Sequence, residues 1–260
     1  MNERFLHVAI TGGSSGIGAA LAEAHAAPGV RLALAGRDAG RLDAVAERCR
    51  ARGADVAATI VDVTDAAAVE AWIDACDRAL PLDLVYANAG IGGRRAIAGP
   101  QGETPEDAQA IVATNLGGVV ATASAAMARF VPRRRGRLVL IGSIAGRLGL
   151  PHSPAYSAAK AGVATYADGL RRLLAPHGVG VTLIEPGFVV TPMSRGVPGS
   201  DVLPWSAERA ARAIRRAAES GRAVLRFPLA LDLVLHLARH LPRALVDAIL
   251  TASHRGGERP

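Results

Sequence analysis

Aromatic residues are scarce in this chain, and their scarcity argues against one class of function. Phe, Trp and Tyr together make up 3% of the 260 residues. Proteins that hold single-stranded nucleic acid use aromatic side chains as stacking platforms, and few such platforms are present here. The 50% hydrophobic content is carried mainly by Ala, Leu and Val, which predicts tightly packed helices on an aliphatic sheet.

Cysteine is nearly absent, since only Cys49 and Cys76 occur and both fall in amphipathic helical stretches. Two such cysteines argue against a disulfide framework. The first apolar run, Phe5–Ile10, is too short for the hydrophobic region of a secretory signal and leads directly into a glycine-rich loop. We therefore expect a cytoplasmic protein with reduced, structural thiols, and we predict no metal site.

Acidic residues are outnumbered by basic ones, which gives the chain a formal charge of +7. A nucleic-acid surface would concentrate this charge in one stripe, but the basic residues are scattered over predicted helices. The densest run, Arg133–Arg137, falls at a helix-to-strand turn, where short charge runs are usually solvated. We predict a solvated loop there, with contact to an acidic partner as the alternative, and no nucleic-acid partner.

Short aliphatic runs alternate with longer helical patterns along the chain. Strands are predicted at Leu6–Thr11, Val30–Gly36, Ala54–Ile60, Leu82–Ala87, Arg137–Gly142, Gly180–Glu185 and Arg222–Phe227. Helices are predicted at Ile17–Ala27, Ala39–Arg52, Ala66–Leu80, Pro105–Arg129, Pro154–Pro176 and Ala207–Ser220. Continuously apolar strands such as Leu138–Ile141 must be covered on both faces. The pattern predicts one α/β domain over residues 1–227, a doubly wound parallel sheet of about seven strands with helices on both faces.

Two segments lack a clear periodic pattern. Gly187–Trp205 is rich in Pro and Gly, which suits a mobile lid over a pocket. The extension over residues 228–260 is dense in leucine from Leu229 to Leu250 but is interrupted by Asp232, His236, Arg239, Pro242, Arg243 and Asp247. It therefore falls short of the roughly 20 consecutive apolar residues that cross a bilayer. We expect it to be helical and to pack against the domain, its lid or a second subunit, with attachment to a membrane surface as the alternative.

A glycine-rich loop, Thr11–Gly18, separates the first strand from the first helix. Its glycines allow a tight turn, close approach of a pyrophosphate to the backbone and close packing of the helix on the strand, while the helix N-terminus offers free N–H groups to the anion. The position of the loop between strand one and helix one makes it a dinucleotide-binding signature.

The end of the second strand is where such folds read the adenosine ribose, and Arg37 stands there in place of an acidic residue. Its planar cation suits a 2′-phosphate, so NADP(H) is favoured over NAD(H). The alternative is that Arg37 is a solvated loop residue and Asp38 caps the next helix. After the third strand, Asp62 and Val63 are placed to contact the adenine, although Asp62 could equally be a turn residue.

Tyr156 and Lys160 stand four residues apart near the start of a predicted helix, so they share one face. A nearby ammonium favours the phenolate and would lower the tyrosine pKa, as general acid–base catalysis requires. Lys160 is the only lysine among the 30 Lys and Arg residues, which favours a task that arginine performs poorly. Ser143 follows a strand at its carboxyl end, where ligands bind in open α/β sheets, and its hydroxyl can hold a substrate oxygen. The alternative for Ser143 is a serine that caps a turn.

These motifs resemble the short-chain dehydrogenase/reductase family in its single-domain form, and the resemblance covers residues 6 to 227. The family's Thr-Gly-x-x-x-Gly-x-Gly, Asn-Ala-Gly and Pro-Gly motifs are matched at Thr11, Gly12, Gly16, Gly18, Asn88, Ala89, Gly90, Pro186 and Gly187. The resemblance implies a Rossmann-type fold and the catalytic residues Asn115, Ser143, Tyr156 and Lys160. It also implies cofactor contacts at Gly12, Ser14, Ser15, Gly16, Ile17, Gly18, Arg37, Asp62, Val63, Asn88, Ala89, Gly90, Tyr156, Lys160, Pro186, Gly187, Val189 and Thr191.

The resemblance assigns further roles within that set. Asn115 would bend its helix to hold a water that links Lys160 to solvent, Asn88 would brace the central strand, and Thr191 would contact the nicotinamide carboxamide. Two positions depart from the family. Ala87 stands where Asn is frequent, and Ser15 stands where many NADP-preferring members carry a second basic residue, which weakens the NADP prediction.

The predicted function is reduction of a mostly apolar ketone, or oxidation of the matching secondary alcohol, by a homo-dimer or homo-tetramer. Tyr156 protonates the carbonyl oxygen while Ser143 orients it. The substrate walls are predicted in Ala145–Ala155 and the lid, at Leu148, Leu150, His152, Phe188, Met193 and Trp205. One alternative is a non-catalytic NADP-binding sensor or scaffold, which would have no need of Ser143 and Tyr156 together. The other is an enzyme that uses the same cofactor for epimerisation or dehydration.

Overall fold

A seven-stranded parallel sheet forms the centre of the molecule. The computed structural model describes residues 5–92, 103–151, 153–195, 197, 200–238 and 240–248. The strands are β1 His7–Thr11, β2 Arg31–Gly36, β3 Asp55–Ile60, β4 Leu84–Ala87, β5 Gly136–Ile141, β6 Val179–Pro186, β7 Val189–Val190, β8 Trp205–Ser206 and β9 Val224–Phe227. The large sheet has the order β3-β2-β1-β4-β5-β6-β9, and its neighbouring strands are parallel. The predicted doubly wound sheet is confirmed.

The helices are α1 Gly16–His25, α2 Ala39–Arg50, α3 Ala66–Ala79, α4 Pro105–Val112, α5 Gly118–Arg133, α6 Pro154–Leu174, α7 Ala207–Glu219 and α8 Leu229–Ala238. A π-helical turn, Ala113–Gly117, separates α4 from α5, and a 3₁₀ turn, Ile144–Arg147, follows β5. Alternate residues of β1 face opposite apolar layers, since Val8 and Ile10 join one buried cluster and Ala9 the other. This alternation is what a strand covered on both faces requires.

The direction of the crossovers reverses between β1 and β4, where chain order leaves β1 for β2 on one side and passes to β4 on the other. The carboxyl ends of these two strands lead into the glycine-rich loop and the segment after Ala87. Ligands bind at such a switch point in open α/β sheets, because the loops on either side diverge and leave a crevice. The topology therefore places the predicted motifs at one edge of the sheet.

One predicted element is corrected by the structure. The helix predicted over Pro105–Arg129 is two helices, joined by the π turn and ending at Arg133. Its whole length, Pro105–Arg133, is long and apolar enough to cross a membrane, but half of its most apolar window is buried, as in the core helix of a globular domain. The extension after Phe227, predicted to be helical, contains the helix α8.

The arginine run at the α5–β5 corner is exposed, as predicted for a solvated loop, and it also forms contacts within the chain. Arg133 pairs with Asp77 at 2.7 Å, and Arg135 pairs with Asp83 at 3.3 Å. The guanidinium of Arg134 donates to the carbonyl of Pro176 at 2.8 Å. The acidic partners of this run therefore lie within the chain itself.

Both cysteines are free thiols on helices, Cys49 in α2 and Cys76 in α3. Burial raises the pKa of each thiol to about 11. A thiol with so high a pKa carries almost no thiolate near neutral pH, and thiolate is the reactive form. The two cysteines therefore act as small apolar side chains.

Candidate active site

Ser143 follows β5 at the carboxyl edge of the sheet, and its side chain is held on several sides. Its Oγ accepts the N–H of Ala145 at 3.1 Å and donates to the carbonyl of Pro186 at 3.3 Å. Its hydroxyl is also near the phenol of Tyr156 and acts to lower the pKa of that phenol. The first of these contacts is the turn cap that stood as the alternative for Ser143, and the last joins Ser143 to the predicted catalytic group. The cap and the catalytic placement therefore occur together.

Lys160 lies one helical turn after Tyr156 in α6, and only 4% of it is exposed. Its Nζ donates to the carbonyl of Ile141 at 2.9 Å and lies 5.7 Å from the centroid of the Tyr156 ring. Burial penalises the charged ammonium and lowers the Lys160 pKa to about 8. The only lysine of the chain is thus a buried amine beside the candidate acid, held by the end of β5.

The structure corrects the expected direction of the Tyr156 pKa. Burial raises this pKa above its ordinary value, and the nearby Ser143 hydroxyl only partly opposes the rise. The expectation was a decrease caused by the Lys160 ammonium. That ammonium donates to the carbonyl of Ile141 and lies 5.7 Å from the centroid of the Tyr156 ring, and desolvation of the phenol is the larger effect. Tyr156 is therefore a protonated donor near neutral pH.

Asn115 lies in the π turn between α4 and α5 and is fully buried. Its Oδ1 accepts the N–H of Ile91 at 2.7 Å, and its Nδ2 donates to the carbonyl of Ile91 at 2.8 Å. A Cβ added to Gly90 would lie 3.1 Å from Asn115 Oδ1 and 3.8 Å from Lys160 Nζ. The amide thus fixes the segment after β4 next to Lys160. The water expected between Asn115 and Lys160 stays a prediction.

The glycine-rich loop is packed too closely for side chains. Gly12 has a φ of +67°, and a Cβ there would lie 2.8 Å from the Cα of Ala89. A Cβ on Gly18 would lie 2.1 Å from the carbonyl oxygen of Gly12. The helix α1 that follows has no side-chain cap at Ser15 and no acidic residue in its first turn. Its N-terminal N–H groups therefore lack a side-chain acceptor, as an anion site requires.

Asn88 and Thr11 connect the glycine-rich loop to the end of β4. The Nδ2 of Asn88 donates to the carbonyls of Thr11 at 2.9 Å and Gly12 at 3.3 Å. The hydroxyl of Thr11 accepts the N–H groups of Asn88 at 3.0 Å and Ala89 at 3.2 Å, and it donates to the carbonyl of Tyr86 at 3.2 Å. The brace expected of Asn88 is present, and Thr11 is its counterpart.

The adenosine end of the crevice is more open. Arg37 follows β2 with 59% of its side chain exposed, and its Nη1 lies 3.7 Å from Asp62 Oδ2. Asp38 caps α2 by accepting the N–H of Arg41, as its alternative role required. Asp62 accepts the N–H of Thr64 at 3.0 Å and is therefore also a turn residue. The Thr64 contact also holds the Asp62 pKa below its ordinary value. Arg37 itself keeps a loosely held guanidinium, available to an anion.

Two further predicted contacts border the crevice. Val63 packs on the start of α5, since a Cβ on Gly118 would lie 2.5 Å from its Cγ2. Thr191 faces the glycine-rich loop, since a Cβ on Gly16 would lie 3.2 Å from its Cγ2. Thr191 starts a turn in which its N–H donates to the Ser194 hydroxyl at 3.1 Å. Val63 therefore lies against the start of α5, and Thr191 lies against the glycine-rich loop.

The remaining predicted contacts lie in the segment after β6 and in the glycine-rich loop. The N–H of Gly187 donates to the carbonyl of Phe227 at 2.6 Å, and Val189 is buried in β7, which pairs with β8. Ser14 lies against the end of β2, 3.2 Å from the position of a Cβ on Gly36. Ile17 packs on the apolar layer beneath α1. These four residues hold the backbone that borders the crevice.

The predicted substrate walls are only partly brought together. Leu148, Leu150 and Phe188 are half-buried, and Met193 lies against Gly92, where an added Cβ would lie 3.0 Å from its Cγ. Trp205 packs against the apolar core instead. Its ring stacks on Phe227 with centroids 4.4 Å apart, and the guanidinium of Arg209 lies 4.0 Å from the indole centroid. His152 lies outside the described residues.

The sequence gives no direct sign of two contacts that hold this site. Glu103 binds the start of α6 through two hydrogen bonds. Its Oε1 accepts a hydrogen bond from the Ser153 hydroxyl and its Oε2 accepts one from the N–H of Ala155, both at 2.7 Å. Arg147, at the end of the 3₁₀ turn after Ser143, pairs with Asp232 of α8. Asp232 is the lone acidic residue of an apolar helix, and that isolation is the one available signal.

Comparison with known proteins agrees with this arrangement. Residues 6–200 match the model of the short chain dehydrogenase family. An uncharacterized oxidoreductase of Myxococcus xanthus is 43% identical over 182 residues, 69% of this chain and 70% of that protein. The putative ketoacyl reductase 1 of the granaticin polyketide synthase of Streptomyces violaceoruber is 36% identical over 191 residues, 72% of this chain and 69% of that protein.

A solved structure is similar over most of its length. The short-chain dehydrogenase from Sphingobium yanoikuyae in complex with NADPH has a TM-score of 0.78 and 30% identity, covering 90% of this chain and 93% of that one. The fold, the crevice at its switch point and the extent of these matches lead to one conclusion. The chain belongs to the short-chain dehydrogenase family and is an NAD(P)-dependent dehydrogenase or reductase.

Proposed function

We propose that this enzyme uses NADP(H) to reduce a mostly apolar ketone, or to oxidise the matching secondary alcohol, with Tyr156 as the general acid or base. The observation that carries the proposal is the grouping of Ser143, Tyr156 and Lys160. The three side chains meet at the carboxyl end of β5, where the Ser143 hydroxyl is near the Tyr156 phenol and the buried Lys160 amine lies 5.7 Å from the centroid of the Tyr156 ring.

The chain's own residues handle the proton and the oxygen. The bound nicotinamide dinucleotide supplies or accepts the hydride at the substrate carbon. In reduction, Ser143 Oγ orients the carbonyl oxygen while Tyr156 Oη gives it a proton, so the ketone gains one hydride and one proton. The raised pKa of Tyr156 keeps that proton on the phenol until the oxygen becomes basic. Lys160 would contact the ribose, and its ammonium would stabilise the phenolate of Tyr156 until a proton from solvent restores the phenol.

The residues of the glycine-rich loop and its neighbours would hold the dinucleotide. Ser14, Ser15, Gly16 and Ile17 present the uncapped start of α1 to the pyrophosphate. Arg37 would bind the 2′-phosphate, while Asp62 and Val63 face the adenine. Asn88, Ala89, Gly90, Pro186, Gly187, Val189 and Thr191 would border the nicotinamide half. The preference for NADP(H) rests on Arg37 and finds support in the NADPH complex of the related Sphingobium yanoikuyae protein.

The substrate class rests on the apolar side chains near Ser143. Leu148 and Leu150 are half-buried on the segment that follows Ser143, and Met193, in the predicted lid segment, is exposed. A pocket of this composition favours apolar surface around the reacting carbon. The relatives named as ketoacyl reductases act on carbonyl groups by their names, which supports reduction as the working direction.

The oligomer follows from the outer face of α8. Leu229, Leu233, Val234 and Leu237 are more than half exposed in the single chain. Contiguous apolar surface of this kind is uncommon on a monomer, so we infer that it packs against a second subunit of a cytoplasmic homo-dimer or homo-tetramer. Leu233→Gln with Leu237→Gln should lower the molar mass in light scattering. An unchanged mass, or binding to lipid vesicles by the parent, would point to another role for this face.

A coenzyme-linked screen tests the reaction. Purified protein is incubated with NADPH and a panel of ketones, sugars and acyl thioesters, and the reverse reaction with NADP and alcohols, while absorbance of the reduced coenzyme is followed. We expect turnover with at least one apolar ketone. Coenzyme binding without turnover on any carbonyl or alcohol of the panel would contradict the proposal.

A further inference from the structure

Four charged side chains form a row of ion pairs that joins the segments on either side of Ser143 to α8. In order along the row they are Glu185, Arg226, Asp232 and Arg147. The Nε of Arg226 donates to Glu185 Oε2 at 2.6 Å and lies 3.8 Å from Asp232 Oδ1. The same oxygen of Asp232 pairs with Nη1 of Arg147. Only 11% of the Arg147 side chain and 3% of the Glu185 side chain are exposed. These charges alternate in sign along the row, and those of Arg147 and Glu185 are shielded from solvent.

This row joins α8 to both segments that hold Ser143. Arg147 is the last residue of the 3₁₀ turn that Ser143 caps, in which the N–H of Gly146 donates to the carbonyl of Ser143 at 3.0 Å. Glu185 directly precedes Pro186, whose carbonyl accepts the Ser143 hydroxyl at 3.3 Å. The ion pairs therefore approach Ser143 from the turn after β5 and from the end of β6.

The 3₁₀ turn has little room to move against α6. A Cβ on Gly146 would lie 2.6 Å from the N atom of Ala161 and 2.6 Å from the carbonyl carbon of Lys160. The turn thus packs closely on α6, the helix that carries Tyr156 and Lys160. On its other side, Arg147 pairs with Asp232 of α8. A change in the position of Arg147 would alter the distance between Ser143 and these two side chains.

Arg147 depends on α8 for its counter-charge. Within the described part of the chain, Asp232 is the acidic side chain that pairs with it. A mostly buried guanidinium that loses its partner is strongly destabilised, so the turn would shift to bring it towards water. The helix that provides this carboxylate lies beyond residues 6–200, the part matched by the family model.

We propose that Asp232 is a positioning residue, through which α8 fixes the Ser143 turn by its ion pair with Arg147. The extension after Phe227 then completes the active site from outside the family-matched region. The activity part of the inference rests on the proposed function. The effect on the turn does not, because it can be measured by hydrogen exchange without any substrate.

The test compares Asp232→Asn with Asp247→Asn in the full chain. Asn keeps the shape of Asp232 but removes its charge, and Asp247 is an exposed acidic residue of the same extension. In Asp232→Asn, the amides of Ala145 and Gly146 should exchange roughly tenfold faster, because the free energy of local opening of the turn is lower. Amides of β5 should keep their protection. Asp247→Asn should match the parent in all measurements.

Kinetics give the second readout. Asp232→Asn should lower kcat about tenfold, as misplacement of an orienting group does, while KM for the coenzyme stays unchanged. Arg147→Met should give the same loss, and Arg147→Lys, which keeps the cation, should recover much of it. Arg147→Met also removes the unpaired charge, so it remains informative if Asp232→Asn does not fold.

Each contrary result has a distinct meaning. Unchanged exchange in the turn, or a faster turn with unchanged kcat, overturns the positioning role. Equal loss of protection in β5 and the turn shows a general structural role and also overturns it. If the parent turns over no carbonyl or alcohol but Asp232→Asn still loosens only the turn, the proposed reaction fails while the effect of Asp232 on the turn stands.

Discussion

The two ends of the cofactor crevice are held in different ways. At the proposed catalytic end, Ser143 and Lys160 are 8% and 4% exposed, and backbone carbonyls and an N–H group hold their side chains. At the adenosine end, Arg37 is 59% exposed and only approaches Asp62 at 3.7 Å. One end is fixed by the fold before any ligand binds. The other leaves a charge free for the ligand to use.

This difference sets the size of the effects expected from mutation. A buried, hydrogen-bonded group cannot be replaced by water, so its loss is felt in full. An exposed cation is screened by salt and competes with solvent, so its contribution is smaller. The following predictions test this contrast, beginning with the largest effect.

Replacement of the catalytic phenol should give the largest loss. Tyr156→Phe removes the phenolic proton donor placed beside Ser143, so turnover should fall by at least about 10²-fold, as is typical when a general acid is lost. Coenzyme affinity should stay close to that of the parent. Single-turnover kinetics and coenzyme titration measure the two effects separately.

Tyr166→Phe is the matched control, because Tyr166 lies in the same helix but packs on the apolar layer. It should retain nearly full activity. If Tyr156→Phe were as active as this control, Tyr156 could not be the general acid.

The buried ammonium predicts a pH effect on stability. Burial lowers the Lys160 pKa from 10.5 to about 8, so between these values the unfolded chain binds more protons than the folded one, and stability rises with pH. Relative to Lys160→Met, the parent should therefore gain about 2 kcal/mol of unfolding free energy from about pH 7 to about pH 9.5. Urea unfolding of both proteins at the two pH values measures this gain.

The composition makes this measurement unusually clean. Lys160 is the only lysine of the chain, so no other ammonium side chain titrates in this interval, and the remaining groups are common to both proteins. A constant difference in stability across the interval would mean that Lys160 keeps its ordinary pKa. Its burial would then have little electrostatic consequence.

The sequence predicts the buried end of the crevice better than the contacts that support it. The seven strands could be located because each is a short apolar run, and Ser143, Tyr156 and Lys160 because their spacing places them at the edge of the sheet. The bend at Asn115 was expected from the family resemblance and is the π turn, but its contact with Ile91, 24 residues away, was not predicted. The pairing of Arg147 with Asp232 joins residues 85 positions apart.

The predicted direction of the Tyr156 pKa shift was also wrong. The spacing of Tyr156 and Lys160 indicates that a cation lies near the phenol, but it carries no information about desolvation. In the structure both groups are buried, and desolvation raises one pKa and lowers the other. Trp205 shows the same limit, because the ring is apolar in either setting and only the fold decides that it stacks on Phe227.

Coenzyme preference should show a smaller effect, at the exposed end. Arg37→Ala should weaken NADP(H) and leave NAD(H) little changed, because only the former carries a 2′-phosphate. A charge-assisted contact contributes about 1.5–3 kcal/mol, or about tenfold to a hundredfold in affinity. The exposure of Arg37 and the absence of a second cation at Ser15 place the expected preference near tenfold. Arg50→Ala, at the opposite end of α2, controls for the general loss of positive charge.

Gly36 allows the reverse test, with its own steric control. A Cβ at Gly36 would lie 3.2 Å from Ser14 Oγ and 3.3 Å from its Cβ, so any side chain there disturbs the glycine-rich loop slightly. Gly36→Ala measures that disturbance with both coenzymes, and Gly36→Asp adds a carboxylate that repels a 2′-phosphate and can bind a 2′-hydroxyl. The ratio of kcat/KM for NADPH to that for NADH should therefore fall roughly tenfold between the two variants. If the parent already prefers NADH, or if Ala and Asp give the same ratio, then Arg37 points to solvent and the end of β2 does not select the coenzyme.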